Sequence, residues 1–75
     1  MDNYEGIRIN RVFQKVKHSY MTADEISKLA YANDYDPRLV NLRIFRTTYH
    51  LGKLIEQGKV EKTTQGSITL YRRKR

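Results

Sequence analysis

Apolar residues recur along this chain in three stretches with near-helical spacing, and a fourth stretch alternates between apolar and polar positions. The apolar positions of the first stretch are Ile7, Ile9, Val12, Phe13 and Val16. They would form one face of a helix while most of the neighbouring basic side chains turn away from it. The pattern therefore predicts a first helix over residues 5–18.

A capping motif marks the start of the second helix. In Thr22-Ala23-Asp24-Glu25 the side chains of the first and last residues can each satisfy the other's free backbone amide. Met21 and Ile26 occupy the flanking positions of a hydrophobic staple. We expect an extended piece at residues 20–22 and a helix over residues 23–32. The residues that this helix would bury are Ile26, Leu29 and Ala30.

The third helix is predicted over residues 37–57. Asp36 can cap it, proline is well tolerated at its first position, and Gly58 is placed to end it in a left-handed conformation. Beyond it, residues 59–72 have the pattern of a β-hairpin, with a Thr64-Gln65-Gly66 turn. The apolar positions on the two sides of that turn are Val60, Ile68 and Leu70. The chain as a whole predicts an α+β fold of three helices and a C-terminal hairpin.

The third helix is predicted to have two different faces. At about 100° per residue, one stripe within about 60° of Leu51 is apolar enough to be core. Its other members are Val40, Ile44, Thr47, Leu54 and Ile55. The opposite side is cationic and consists of Arg38, Leu42, Arg46, Tyr49 and Lys53, while Arg43 and His50 flank the stripe.

The length of the chain indicates the number of domains, and its charge indicates the class of partner. Seventy-five residues make one domain, residues 1–75, with no internal linker or repeat. The net charge is +7, and it is unevenly distributed: residues 1–37 contain five basic and six acidic side chains, whereas residues 38–75 contain ten basic and two acidic ones. A basic excess confined to one half favours a binding surface for a polyanion over a merely solvated surface.

Several classes of function are disfavoured. The chain has no cysteine, and its two histidines, His18 and His50, lack further ligands, so we expect neither a metal site nor a cofactor. No nucleophile with a base, paired catalytic carboxylates or phosphate loop is evident, so we do not expect an enzyme or a small-molecule ligand. The apolar runs are too short to span a bilayer and the N-terminus does not read as a signal peptide. We expect an intracellular protein with no membrane partner.

The cationic helix and the hairpin after it together suit double-stranded DNA. A long helix with an apolar back and a basic front has what insertion into a major groove requires, and small polar donors around a glycine can approach phosphates. A basic tail is expected at residues 72–75, adding affinity without specificity. Of the tyrosines, Tyr49, and after it Tyr71, are the candidates for contact. The full candidate set is Arg38, Arg43, Arg46, Tyr49, His50, Lys53, Lys62, Thr64, Gln65, Ser67, Arg72 and Arg73.

Nearly the whole chain, residues 7–72, resembles the winged helix-turn-helix superfamily, of the small type found in prokaryotes, phages and plasmids. The resemblance lies in Met21-Thr22-Ala23-Asp24-Glu25-Ile26 before Leu29-Ala30, and in Leu51-x-x-Leu54-x-x-x-Gly58-x-Val60 before the hairpin. It implies that the third helix enters the major groove and that the hairpin, or wing, lies on the adjacent backbone. It also implies a small transcriptional regulator or accessory DNA-binding protein, near the nucleoid in the cytoplasm.

Four questions stay open at this point: the connection before the third helix, the function, the ligand and the oligomeric state. The stretch from Ala32 to Leu51 is longer than a short helix-turn-helix connection, so either the recognition helix is extended or its first turns bend separately. A protein-interaction module that docks onto a polymerase or replication factor is an alternative function, since one scaffold hosts many functions. RNA or single-stranded nucleic acid is an alternative ligand. It is disfavoured because the predicted cationic helix suits the B-form major groove and not the narrow A-form one. Homodimers are common for such proteins, but no long helix follows the wing to build one.

Overall fold

Three α-helices and a two-stranded antiparallel hairpin follow one another in a computed structural model that describes residues 4–74. The elements are α1 (Tyr4–Lys15), α2 (Ala23–Ala30), α3 (Val40–Glu56), β1 (Val60–Gln65) and β2 (Ile68–Arg73). Their order confirms the predicted α+β fold, a winged-helix layout with three helices and a β-hairpin wing.

The core lies where α1, α2 and α3 meet the base of the hairpin. Its buried apolar members are Ile9, Val12, Phe13, Met21, Ile26, Ala30, Leu51, Leu54, Val60 and Tyr71. The stripe predicted on the third helix is confirmed at Thr47, Leu51 and Leu54, which are buried, while Leu42 is exposed. Leu29 was expected in the core, but it is half exposed because it lies on the outer side of α2.

The first two helices are shorter than predicted. α1 ends at Lys15, three residues early, since the polar run Lys17-His18-Ser19 offers no apolar side chain to hold another turn against the core. α2 ends at Ala30, and Tyr31 caps it. The predicted capping box is present: the Glu25 amide donates to Thr22 Oγ1 at 3.1 Å and the Thr22 amide donates to Glu25 Oε1 at 3.0 Å.

The predicted start of the third helix at Pro37, capped by Asp36, is wrong. A short 3-10 helix occupies Ala32–Asp34, and α3 begins only at Val40. Asp36 Oδ1 accepts the Arg38 amide at 2.9 Å, which closes a local turn that competes with helix formation. The connection therefore bends separately from α3, the second of the two arrangements left open by its length.

The hairpin is tied into the helical part at both of its strands. β1 and β2 pair in a register from Val60 opposite Arg73 to Gln65 opposite Ile68. The predicted extended piece before α2 also pairs with the hairpin, because Met21 forms an antiparallel bridge with Tyr71 in β2. Gly58 and Gly66 adopt φ of 74° and 63°, which end α3 and form the hairpin turn.

The first half of the expected basic tail is strand. Arg72 and Arg73 belong to β2, and the Lys74 amide donates to the Lys59 carbonyl at 2.9 Å. Pairing with β1 fixes Arg72 and Arg73 in the hairpin and satisfies their backbone groups. Arg75 lies outside the described residues. No helix in the described part of the chain is long and apolar enough to cross a membrane.

Candidate nucleic-acid interface

The solvent side of α3 carries the most accessible part of the candidate set. Because Leu51 and Leu54 take the opposite side into the core, Arg46 and Tyr49 point away from it, and both are exposed. The Arg46 side chain is 54% exposed, and its Nη1 lies 3.7 Å from Glu5 Oε1 of α1. Glu5 is only 14% exposed, but 3.7 Å is longer than a hydrogen bond, so the exposed guanidinium keeps its donors for another partner.

Tyr49 and Lys53 form a contact of their own on the same face. The ammonium of Lys53 lies 4.8 Å from the centre of the Tyr49 ring, one helical turn away. Lys53 is half-buried and Tyr49 is exposed. This contact presents a phenol and a positive charge side by side, which can serve both a base edge and a phosphate.

Arg38 lies in the turn before α3 and not on the helix itself. Its Nη2 lies 3.1 Å from Asp36 Oδ2, yet its side chain is 87% exposed. The hydrogen bonds from Arg38 lower the pKa of Asp36, so that carboxylate stays ionised and offsets part of the Arg38 charge. Arg38 is accessible, but it contributes little net charge.

The Arg43 side chain makes its contacts within the protein. It is half-buried, its Nη1 donates to the Asp34 carbonyl at 2.6 Å, and its guanidinium lies 4.3 Å from the centre of the Tyr31 ring. Arg8 approaches the same ring at 4.8 Å. Burial raises the pKa of Tyr31, and the Glu5 carboxylate adds to that effect. Arg43 thus fastens α3 to the connection before it.

His50 is packed between helices. Its ring lies so close to α1 that a Cβ added at Gly6 would stand 3.0 Å from His50 Cε1. Burial lowers the pKa of His50, and Lys53 lowers it further, against a weaker opposite effect of Glu5. The imidazole is therefore neutral at physiological pH, which removes it as a cation for phosphate.

The tip of the hairpin places several candidates at the surface. Lys62, Thr64, Gln65 and Ser67 are all exposed. Because side chains alternate along a strand, Lys62 and Thr64 share one face of β1 and Gln65 lies on the other. The hairpin therefore presents Lys62 and Thr64 to one surface and Gln65 to the opposite one.

The two arginines of β2 are separated from that tip. Arg72 pairs with Glu61 directly across the hairpin, and its guanidinium lies 4.4 Å from the centre of the Tyr20 ring. Arg73 is exposed at the base of the hairpin. Five residue steps of about 3.3 Å put it roughly 17 Å from the turn.

A basic groove occupies that base. It has a volume of about 400 Å³ and lies between the hairpin, the end of α3 and α1. Its polar lining includes Asn10, Gln14, Lys59, Arg73 and Lys74. The exposed members of the candidate set thus lie in separate places: on α3 and the turn before it, at the hairpin tip, and, for Arg73, in this groove.

The exposure of Phe45 and the burial of Tyr71 were not predicted from the sequence. Phe45 is 72% exposed on α3, between Leu42 and Tyr49 in the chain. The spacing of these three residues, three and then four positions, was the signal that could have shown a second apolar stripe. Tyr71, expected as the second contact tyrosine, is buried in the core because it faces Met21 and the helices.

Neither a search for metal-binding side chains in the described residues nor comparison with known proteins identifies a further site. Within residues 4–74 no group of three or more histidine, aspartate or glutamate side chains is arranged to hold a metal ion. Comparison of this chain with protein-family models, with curated proteins and with solved structures gives no match.

Proposed function

We propose that this chain binds double-stranded DNA, with α3 in the major groove and the tip of the hairpin on the adjacent backbone. The observation that carries the proposal is the exposed side of α3, where Arg46, Tyr49 and Lys53 stand on a helix whose other side is core. A helix of this length fits a major groove, and these side chains suit base edges and phosphates. The role would be that of a small transcriptional regulator or an architectural protein at the nucleoid.

The charge distribution supports the same partner. The excess of positive charge lies in residues 38–75, which contain α3 and the hairpin. Residues 38–75 contain two acidic side chains, and one of them, Glu61, is paired with Arg72. The field that a polyanion meets is set by the exposed basic side chains of this half, which include Arg46, Lys59, Lys62, Arg73 and Lys74.

Competition among nucleic acids tests the proposal. A fluorescent random duplex of about 20 base pairs would be bound at low salt, then displaced by unlabelled duplex DNA, single-stranded DNA or duplex RNA. We expect duplex DNA to compete best, because A-form RNA has a major groove too narrow for α3. Better competition by RNA or by a single strand would contradict the proposed ligand. The stoichiometry at saturation gives the number of copies on the duplex.

One observation favours a second candidate, a protein-interaction module that docks onto a polymerase or replication factor. Leu42, Phe45 and Tyr49 are exposed on α3; aromatic residues are enriched at protein interfaces, and exposed apolar patches mark such sites. This candidate predicts no affinity for any duplex at low salt, whereas the DNA proposal requires it.

A further inference from the structure

α3 has a second apolar stripe on its solvent side. Leu42, Phe45 and Tyr49 are 44%, 72% and 63% exposed, whereas Leu51 on the opposite side is 0% exposed. Exposing side chains of this size forgoes the free energy of their burial. A contiguous stripe on one helix indicates a surface that a partner covers.

The surroundings of the stripe indicate what that partner is. Arg46 and Lys53 lie on the same side of α3, so an apolar surface is bordered by positive charge. A major groove offers the matching combination: phosphates along its edges and, at each thymine, a C5-methyl group between hydrogen-bonding atoms. Tyr49 is engaged with Lys53, which leaves Leu42 and Phe45 for the apolar contact.

We infer that Leu42 and Phe45 contact thymine methyl groups, so that this protein prefers duplexes that contain thymine at the contacted positions. The inference rests on the proposed binding of double-stranded DNA and names the chemical group that the helix recognises. An acidic protein surface would match the charge of Arg46 and Lys53 but would give no dependence on a base methyl group.

Replacing thymine by uracil isolates this contact, because uracil pairs with adenine in the same way and lacks only the C5-methyl group. Two duplexes of about 20 base pairs with the same A·T-rich sequence would be compared, one with thymine and one with uracil. Each methyl group lost is expected to weaken binding about fourfold, the equivalent of about 0.8 kcal/mol. The wild-type protein should therefore prefer the thymine duplex by a factor of about four or more.

Variants assign the preference to the stripe. Phe45→Ala is expected to reduce the preference for the thymine duplex by about fourfold, the effect of one methyl contact, because Phe45 is one of the two residues that contact methyl groups. Ile7→Ala is the matched control: Ile7 is 49% exposed on α1 and its removal should leave the wild-type ratio unchanged. Phe45 is outside the core, so circular dichroism should show both variants folded.

The outcomes separate this inference from the proposed function. Equal, measurable affinity of the wild-type protein for both duplexes overturns thymine recognition and leaves DNA binding in place. A thymine preference of unchanged size in Phe45→Ala also overturns it, since DNA shape or another residue would then be responsible. Absence of binding to either duplex at low salt overturns the proposed function and the inference with it.

Discussion

Met21 and Tyr71 exchange two backbone hydrogen bonds: the Met21 amide donates to the Tyr71 carbonyl at 2.9 Å, and the Tyr71 amide donates to the Met21 carbonyl at 2.7 Å. The next residue, Thr22, is the N-cap of α2. The start of α2 is therefore fixed to the middle of β2, and the hairpin is held against the helices. A hairpin of two strands alone would be marginally stable in water.

Removing the cap should weaken this junction without altering the α3 surface. Thr22→Ala is expected to lower the free energy of unfolding by about 1 kcal/mol, because the Glu25 amide loses its acceptor. Chemical denaturation measures the change. Thr22→Ser keeps the hydroxyl and should behave like the wild-type protein, and an unchanged midpoint in Thr22→Ala would mean that the cap contributes nothing.

Leu51 and Leu42 lie on opposite sides of α3, so the same Leu→Ala substitution can be compared at a buried and an exposed position. Leu51→Ala is expected to cost about 2–5 kcal/mol of stability, enough to unfold so small a domain, because the side chain is fully buried. Leu42→Ala should cost far less and should instead weaken binding to DNA. Thermal denaturation of the two variants compares them directly, and greater sensitivity at Leu42 would show that the wrong face of α3 is assigned to DNA.

Arg46 and Lys62 should differ in what they contribute to recognition. Arg46→Ala is expected to reduce discrimination between a preferred site and random DNA by about 1–3 kcal/mol, because Arg46 lies midway along the exposed side of α3. Lys62→Ala on the hairpin should weaken binding to all duplexes alike. A selected-site assay on both variants tests this. If both variants lose affinity uniformly across sequences, Arg46 contacts only phosphate.

The packing of His50 gives stability a pH dependence. Because burial lowers its pKa in the folded state, the unfolded chain takes up a proton more readily once the pH falls below the unfolded value of about 6.5. Stability is therefore retained above that value and decreases as the pH falls. The denaturation midpoint should be lower at about pH 5.5 than at about pH 7.5, and the difference should shrink in His50→Gln. An equal pH dependence in the variant would assign it to other groups.

The elements that the sequence predicted well depend on local signals. The Thr22 cap needs only residues within one turn, and the stripe around Leu51 needs only the helical period. The start of α3 failed for a local reason too: the same Asp36 can cap a helix or close a turn two residues ahead, and its pairing with Arg38 accompanies the turn. Sequence spacing does not distinguish these two uses.

The candidate site was less predictable because charge pairing depends on tertiary contacts. Arg72 is paired because the hairpin register puts it opposite Glu61, and Arg43 is held because the connection brings Asp34 and Tyr31 to it. Neither relation follows from spacing along the chain. The exposure of Phe45, by contrast, could have been predicted, because Leu42, Phe45 and Tyr49 are three and four positions apart and lie away from the stripe around Leu51.

The salt dependence of binding tests the central claim, that the exposed side of α3 and the hairpin tip bind the backbone and grooves of duplex DNA. The logarithm of the association constant for a random duplex would be plotted against the logarithm of salt concentration, with a slope of about −0.9 for each phosphate neutralised. We expect a slope of about −3 or steeper for the wild-type protein, reduced by about one in Lys62→Ala. No binding at low salt, or a slope near zero, would contradict the claim.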